Sequence, residues 1–354
     1  MSQPPQRIRF VRTSDGAQLA WAEGGSGPVL VKAATWLTHL QYDWESPVWR
    51  HWLRFFTDRF RFIRYDERGC GMSDWEAGEL TTNRWIADLE DVVEAAAPEA
   101  PFTLLGISQG AVACIGYAVR HPERVARMIL YGGYARGHYH RGKPDAEREY
   151  RAILEVLRIG WGKPNPSFRQ LFTSRFIPDG TAEQLAWFNA LCQKTTSPDM
   201  AVKLLHLRAE MDVVDLLPEV RVPTLVMHAR EDNVVPFAEG RLLASSIPGA
   251  QFIELASKNH VLLEDEPAWQ EFQDAVLEFA GLQAPADGAF DALSPREREI
   301  LALLSEGLGN AQIGERLEIS EKTVRNHISR LYDKLGVWNR AQAMVFARDR
   351  GFRR

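Results

Sequence analysis

The chain has 354 residues, of which 45% are hydrophobic and 25% are charged, a composition typical of a globular protein long enough for two domains. It contains no run of about 18 apolar residues, and its N-terminus lacks the apolar core and cleavage site of a secretory signal, so we expect no membrane span and no membrane partner. Three cysteines without metal-ligand spacing argue against a disulfide framework and predict a cytoplasmic protein.

Charge is distributed unevenly along the chain. The whole sequence carries 42 Lys+Arg and 47 Asp+Glu, whereas residues 291–354 carry 12 and 9. A mildly basic tail on an acidic body is typical of a nucleic-acid-binding module attached to another domain.

Strand-like and helix-like segments alternate over residues 1–282. RIRFVRT and AQLAWAE predict an antiparallel pair, and six further apolar runs predict strands buried on both faces: PVLVKA, FRFIRYD, FTLLGI, VARMILYG, VPTLVMH and AQFIELA. Such alternation predicts an α/β domain built on a doubly wound, mostly parallel sheet.

A long helical insertion separates VARMILYG from VPTLVMH and is unusually aromatic. We interpret it as a cap over a pocket, at about residues 134–215. The alternative is that most of these rings pack the insertion's own small core. Downstream, GLQAPADGAFD has the composition of a short linker, which we expect at residues 283–291.

One stretch within the α/β segment predicts a nucleophile. LLGISQG reads as a strand entering a sharp turn that presents Ser108, and a helical segment follows it. A serine needs a base, and the base needs an orienting acid. Asp232 follows VPTLVMHA and is the candidate acid, with Glu231 beside it as the alternative. His260, in the loop after AQFIELA, is the candidate base.

Residues 7–282 resemble the α/β-hydrolase superfamily, with GISQG, HAREDNVVP and NHVLLEDEP at its three signature positions. The resemblance implies a catalytic triad of Ser108, Asp232 and His260 acting on ester bonds. YDERGCGMSD also resembles a stretch of that fold, where we expect Asp66 and Arg68 to have structural roles.

The loop after the third strand departs from the family pattern. Many relatives have His-Gly there, whereas this chain has Ala34-Thr35-Trp36. We therefore predict that the backbone N–H groups of Trp36 and Gln109 form the oxyanion hole. Losing one good donor lowers turnover by about 10²–10³, so a distorted hole predicts slow chemistry.

The C-terminal segment is helical in pattern. Ser294 and Glu297 predict a capping box on a first helix, and Asn310 is predicted to cap a second. A third helix begins at Glu321 and ends before Gly336, and a fourth closes the chain. LSPREREIL, N-x-x-I-G-x-x-L, IS-x-x-TV-x-x-H and KLGV-x-NR-x-x-A resemble the LuxR-type (GerE-like) DNA-binding domain.

This resemblance implies a small all-α, four-helix helix-turn-helix domain over residues 292–354 that binds double-stranded DNA. It also implies a homodimer paired through the last helix, where Ala341, Val345 and Ala347 form a short apolar stripe.

The third helix sorts by face. Apolar residues spaced three and four apart should face the module's core: Val324, Ile328, Leu331 and Leu335. The predicted DNA-binding residues are Lys322, Thr323, Arg325, Asn326, Ser329, Arg330 and Lys334. Arg325 and Asn326 have the side chains that read guanine and adenine edges. Lys322, Thr323, Arg330 and Lys334 are predicted to hold phosphates.

These patterns together suggest a transcription regulator whose hydrolase-like domain binds, and slowly hydrolyses, a small ester- or lactone-like ligand. One alternative is an active esterase-type serine hydrolase whose DNA-binding tail regulates expression in response to substrate. A receptor without turnover and a dimerisation scaffold are the others. The sequence contains no cofactor-binding or metal-ligating pattern, so we expect neither a cofactor nor a metal.

Overall fold

The computed structural model describes residues 6–76, 78–282, 290, 292–337, 339–349 and 352. The chain forms two compact units, Met1–Ala280 and Gly281–Arg354. The predicted linker at residues 283–291 lies outside the described residues, except for Phe290.

The first unit is built on an eight-stranded sheet of order β1-β2-β4-β3-β5-β6-β7-β8. The strands are β1 Gln6–Arg12, β2 Gln18–Gly24, β3 Val29–Lys32, β4 Arg61–Tyr65, β5 Phe102–Ile107, β6 Val125–Tyr131, β7 Thr224–Ala229 and β8 Gln251–Leu255. β2 pairs antiparallel with β1 and β4, and all other pairs are parallel. The predicted mostly parallel α/β fold is confirmed.

Burial along the strands follows their place in the sheet. Every residue of β5 and β7 is buried, because helices cover both faces of a parallel sheet and leave no side of a central strand in water. β8 lies at the edge and is only partly buried. The continuous apolar runs of the sequence therefore correspond to the strands that carry the candidate site.

The first unit contains nine described α-helices: α1 Arg50–Arg59, α2 Thr82–Ala96, α3 Gly110–Arg120, α4 Pro144–Gly160, α5 Ser167–Thr173, α6 Ala182–Thr195, α7 Pro198–Glu210, α8 Phe237–Ser246 and α9 Pro267–Ala280. Large aromatic rings fill the space between α1, α9 and the sheet. The Trp52 ring lies 4.7 Å from those of Trp269 and Phe272 and 5.4 Å from that of Tyr131, centroid to centroid.

Helices α4 to α7 form the insertion between β6 and β7. Its two ends are held together by backbone hydrogen bonds from Val213 N–H to Ala135 O, at 2.8 Å, and from Gly137 N–H to Met211 O, at 2.7 Å. The insertion therefore leaves and rejoins the sheet at one place. We refer to this segment, residues 134–215, as the helical insertion.

The second unit contains α10 Pro295–Ser305, α11 Asn310–Leu317, α12 Glu321–Leu335 and α13 Arg340–Asp349. Its core is formed mainly by Leu, Ile and Val side chains from these helices. The predicted capping box is present, since Ser294 Oγ accepts from Glu297 N–H at 3.3 Å and Glu297 Oε2 accepts from Ser294 N–H at 2.7 Å. Together they satisfy two N–H groups of the first turn.

Two expectations for the second unit are wrong. Asn310 is the first residue of α11 rather than its cap, because the Gly309 N–H is bonded to the Gln312 side chain at 2.8 Å and the helix starts there. Ala347 is 2% exposed and packs in the unit's own core. It is therefore unavailable to a partner, whereas Val345 is 44% exposed.

Candidate functional site

Ser108 occupies a strained turn between β5 and α3. Its φ of 54° lies in the left-handed region, which is unusual for a residue with a side chain. Gly106 makes the turn possible, since a Cβ there would lie 2.8 Å from Ala111 Cα. The Ser108 N–H is anchored to Tyr131 O at the end of β6, at 3.0 Å. The local sequence thus presents the serine at the carboxyl edge of the sheet.

The predicted acid and base meet at the same edge. Asp232 follows β7 and His260 follows β8, and His260 Nδ1 donates to Asp232 Oδ2 at 2.6 Å. Asp232 Oδ1 accepts two backbone N–H groups, from Val234 at 2.7 Å and Val235 at 2.9 Å. Glu231, the alternative acid, is exposed to solvent. The geometry favours Asp232.

Electrostatics support an ionised Asp232. Burial raises its pKa, but the charge and hydrogen bond of His260 outweigh burial and bring the pKa below its usual value. His228 is fully buried, and its Nε2 donates to Val235 O at 2.9 Å. Burial also lowers the pKa of His228, so this imidazole is a neutral, packed side chain.

The second ring nitrogen of His260, the candidate base, has no hydrogen-bond partner among the described residues. This atom, Nε2, is buried. The ring lies against Gly132, where an added Cβ would be 3.1 Å from His260 Cε1. Gly132 directly follows Tyr131, to which Ser108 is anchored, so base and serine share one neighbourhood. The Ser108–His260 hydrogen bond itself is not formed.

The two predicted oxyanion donors are free. Neither the Trp36 N–H nor the Gln109 N–H has a protein acceptor among the described residues, and both residues line a cavity together with Ser108. Hydrogen bonds to the side chain of Asp66 hold the neighbouring loops in place. Asp66 Oδ2 accepts from the Leu40 and Met72 N–H groups at 3.0 and 2.9 Å, as its expected structural role requires.

Arg68 is also structural. It is fully buried and forms ion pairs with Asp88, at 2.6 Å, and Asp15, at 2.9 Å. These contacts join the loop after β4 to α2 and to the β1–β2 turn. Arg68 therefore holds these segments together, as its expected structural role requires.

The cavity beside Ser108 lies between the sheet domain and the helical insertion. Its volume is about 60 Å³, small beside the roughly 300 Å³ or more of a typical ligand pocket. Phe172 and Phe176 contribute apolar wall, and the Phe176 ring lies 5.5 Å from that of His260. A cleft of about 400 Å³ adjoins the cavity and shares five lining residues with it: His138, Arg141, Tyr150, Arg175 and Val234.

Sequence reasoning missed the charged wall of this cavity. Arg141, Arg175 and Arg208, all from the helical insertion, line it together with the aromatic rings. No local motif marks these residues. Arg208 pairs with Glu67, a residue 141 positions earlier in the chain, so only the fold brings the partners together.

The predicted recognition helix, α12, has the expected faces. Val324, Ile328, Leu331 and Leu335 are buried. The exposed predicted DNA-binding residues are Lys322, Arg325, Asn326, Ser329, Arg330 and Lys334. The helix is capped at Ser320, whose Oγ accepts from the Thr323 N–H at 3.1 Å.

Lys334 has a structural contact besides its predicted phosphate contact. Its Nζ lies 2.7 Å from Glu297 Oε2, joining α12 to the capping box of α10. Burial alone would raise the pKa of Glu297, but the hydrogen bonds from Lys334 and Ser294 hold it at about 2. The Lys334 side chain is 38% exposed, which leaves part of it open to solvent.

Among the residues that the structure describes, no helix is both long and apolar enough to cross a membrane. In the same residues, no group of three or more His, Cys, Asp and Glu side chains is arranged to hold a metal ion.

Two family models match the two units. The model described as serine aminopeptidase, S33, matches residues 51–267, and the model described as bacterial regulatory proteins, luxR family, matches residues 291–347. The chain belongs to the serine aminopeptidase S33 family of α/β hydrolases and carries a LuxR-type helix-turn-helix DNA-binding domain at its C-terminal end.

Individual relatives match only part of this chain. Pyrrolizixenacetamide deacetylase of Xenorhabdus hominickii is 28% identical over 245 residues, 68% of this chain and 86% of that protein. The DNA-binding transcriptional activator DevR/DosR of Mycobacterium tuberculosis is 49% identical over 74 residues, 19% of this chain and 34% of that activator. An esterase from Exiguobacterium antarcticum shares the fold, with a TM-score of 0.65 and 22% identity over 78% of this chain and 100% of its own.

Proposed function

We propose that this chain is a ligand-responsive transcription regulator that acts in the cytoplasm as a homodimer. Its hydrolase domain binds and slowly hydrolyses a small ester- or lactone-like compound, and the ligand state changes DNA binding by the C-terminal domain. The observation that carries the proposal is the 2.6 Å His260–Asp232 pair beside Ser108, in one chain with an exposed recognition helix.

The two kinds of relative support the two halves of the proposal. One is named as a deacetylase, which implies cleavage of an acyl bond, and the other as a DNA-binding activator. Neither name describes the combination. A domain that cuts an acyl compound and a domain that reads DNA are most simply connected if the first reports on the presence of that compound to the second.

The proposed chemistry is acyl transfer to Ser108. His260 Nε2 takes the Oγ proton as Oγ bonds to the carbonyl carbon, and the carbonyl electron pair moves to oxygen, where the Trp36 and Gln109 N–H groups donate to it. The carbon–leaving-group bond then breaks, and the departing oxygen takes the proton from His260. Water attacks the acyl-enzyme in the same way and restores Ser108. Asp232 stabilises the imidazolium ion.

Two features support slow turnover. The His260 Nε2 atom has no partner among the described residues, so the serine–base hydrogen bond must form before each reaction. The cavity beside Ser108 is also small, about 60 Å³, so a longer acyl group would have to extend into the adjoining cleft. Formation of this hydrogen bond and entry of the acyl group both precede bond breaking.

Hydrolysis of 4-nitrophenyl acetate tests the proposal. We expect slow release of 4-nitrophenol by the wild type, a loss of at least about 10³-fold in Ser108→Ala, and a loss of about 10⁴-fold in Asp232→Asn, because the wrong His260 tautomer is then favoured. Ser245→Ala, an exposed serine on α8, is the matched control and should retain the wild-type rate. Equal rates for wild type and Ser108→Ala would contradict the proposed chemistry.

The unpaired Nε2 atom of His260 also supports a second candidate, a receptor that binds its ligand without cutting it. The two functions differ in one result. A receptor binds an acyl compound equally well in wild type and Ser108→Ala and releases no product from either, and its DNA affinity still changes with ligand.

A further inference from the structure

Arg208, on α7, is a charged residue of the cavity with unused hydrogen-bonding capacity. It is 6% exposed, its Nη2 pairs with Glu67, and its guanidinium carbon lies 4.4 Å from the centre of the Trp36 ring. Its Nε and Nη1 atoms are buried and have no acceptor in the described part of the chain. A buried N–H donor that has left water without finding an acceptor destabilises the protein, so an acceptor supplied by a ligand would bind favourably there.

Two more guanidinium groups line the same cavity. Arg141 shares a single carboxylate, that of Glu239, with Arg136, at 3.9 and 3.2 Å respectively. Arg175 donates to Asn233 O at 3.1 and 2.7 Å. No described carboxylate lies within ion-pair distance of Arg175. The arginines around the cavity therefore outnumber their carboxylate partners.

Burial and nearby charge both act on the titrating groups of this cavity. Burial lowers the pKa values of Arg141 and Arg175. Burial, reinforced by both guanidinium groups, brings the pKa of His138 to about 3, so His138 is neutral and adds no charge of its own. An anion in the cavity would offset the unfavourable interactions among these groups.

From these observations we propose that the cavity contains a carboxylate-binding subsite formed by Arg208, Arg175 and Arg141. The substrates or ligands of this domain are then short acyl compounds, esters or lactones, whose acyl part carries a carboxylate. The position of the reacting carbonyl at Ser108 rests on the proposed function above. The subsite itself does not depend on turnover.

The arginines that line the cavity and the small size of the cavity together indicate a short compound that carries a carboxylate. A planar guanidinium matches the geometry of a carboxylate and keeps its charge when buried. Ser108 and the three arginines line the same cavity, so a compound that carries an ester carbonyl and a carboxylate a few bonds apart matches both parts of the wall. Succinate monoesters have this arrangement.

Binding of two matched esters to full-length Ser108→Ala tests the subsite without hydrolysis. Monomethyl succinate carries the carboxylate, and methyl 4-methylpentanoate replaces it with an isopropyl group of similar shape. We expect ligand-observed NMR titration to give an affinity at least about tenfold higher for monomethyl succinate. Equal affinities, or no measurable binding of monomethyl succinate, would overturn the subsite.

Substitutions in the Ser108→Ala protein assign the preference to named residues. Arg175→Gln leaves no carboxylate unpaired. Glu67→Gln combined with Arg208→Gln removes a buried ion pair as a unit, which avoids leaving Glu67 charged and alone. We expect both proteins to lose most of the preference for the anionic ester. Arg158→Gln, at an exposed arginine of the same insertion that pairs with Glu155, is the matched control and should keep it.

The Arg175→Gln variant keeps the proposal testable if the double variant is unstable. If the Glu67→Gln/Arg208→Gln protein does not fold, as its thermal unfolding would reveal, Arg175→Gln decides the result. An undiminished preference in every folded variant would overturn the assignment to these arginines.

Methanol release by the wild type separates the subsite from the proposed function. Preferential binding of monomethyl succinate with no methanol from either ester supports the subsite and contradicts the hydrolase chemistry. Equal methanol release from both esters contradicts the subsite and supports the chemistry. Faster release from monomethyl succinate supports both.

Discussion

His51, on α1, is a buried histidine whose protonation opposes folding. Its Nε2 donates to Leu262 O at 2.9 Å, and its ring lies 4.7 Å from that of Trp269, centroid to centroid. Burial lowers its pKa from 6.5 to about 4, although the hydrogen bond to Leu262 acts in the opposite direction. The unfolded chain therefore binds a proton between these two pKa values that the folded chain excludes.

The direction of the pH effect follows from this difference. The pKa of His51 is lower in the folded chain than in the unfolded chain. The contribution of neutral His51 to the unfolding free energy is therefore complete above pH 6.5 and is lost as the pH falls towards 4. His51→Gln keeps a donor for Leu262 O but does not titrate. Between about pH 7.5 and about pH 5 the unfolding free energy of both proteins falls, and we predict that the fall is about 2 kcal/mol smaller in His51→Gln than in the wild type.

Urea unfolding followed by tryptophan fluorescence measures this quantity in the first unit, which contains ten of the chain's 11 tryptophans. Other titrating groups cancel in the comparison of the two proteins. If the unfolding free energies of wild type and His51→Gln changed with pH in parallel, burial would not lower the pKa of His51 as described.

Single residues of the candidate site differ in how far the sequence reveals them. Ser108 is marked by a contiguous motif, because the tight turn needs Gly106 at a fixed distance along the chain. Asp232 and His260 are marked less directly, by following strands whose apolar runs are visible. Arg208 and Glu67 have no such mark, since their pairing depends on how the helical insertion lies over the sheet.

At the scale of elements, α12 offers the sharpest test of DNA reading. Arg325 is exposed and 64% of its side chain is in solvent, with Glu321 3.9 Å away as its nearest ionic partner. A guanine edge accepts two parallel hydrogen bonds from arginine, whereas lysine offers only a point charge. Arg325→Lys therefore keeps the positive charge that attracts phosphate but loses the paired donors that fit a guanine edge.

We predict that Arg325→Lys weakens binding to the preferred DNA site by about 1–3 kcal/mol while leaving binding to unrelated DNA unchanged. Lys322→Ala, a predicted phosphate contact, should weaken both and reduce the salt dependence of binding by about one unit of slope. The preferred site is obtained by selection from random-sequence DNA with the wild type, and fluorescence anisotropy measures each affinity. Equal losses on both DNAs for Arg325→Lys would reassign it to phosphate.

The sequence predicted the presence and the buried side of a helix better than it predicted where the helix begins or which residues remain exposed. The apolar spacing of α12 identified its buried side, because four residues at steps of three and four leave one interpretation. α13 is shorter, and its pattern did not distinguish an apolar side for its own core from one for a partner, so Ala347 was misassigned. The start of α11 was displaced by one residue because the Gln312 side chain reaches Gly309.

At the scale of the whole molecule, the candidate acyl-transfer residues and the predicted recognition helix lie in separate compact units. A ligand in one unit changes DNA binding by the other only if it favours one of two states that bind DNA differently. Thermodynamic linkage then requires reciprocity: the factor by which ligand changes operator affinity equals the factor by which operator changes ligand affinity. Coupling between such sites typically amounts to a factor of about 5–150.

We predict this reciprocity for full-length Ser108→Ala, which holds the ligand without consuming it. Saturating monomethyl succinate should shift the affinity for the selected DNA site, and that site should shift the affinity for monomethyl succinate by the same factor and in the same direction. Unrelated DNA, which Arg325 does not read, should shift it less. A factor of one in both titrations, with binding of each ligand intact, would mean that the hydrolase domain and the DNA-binding domain act independently. Joint expression in one chain would then be their only connection.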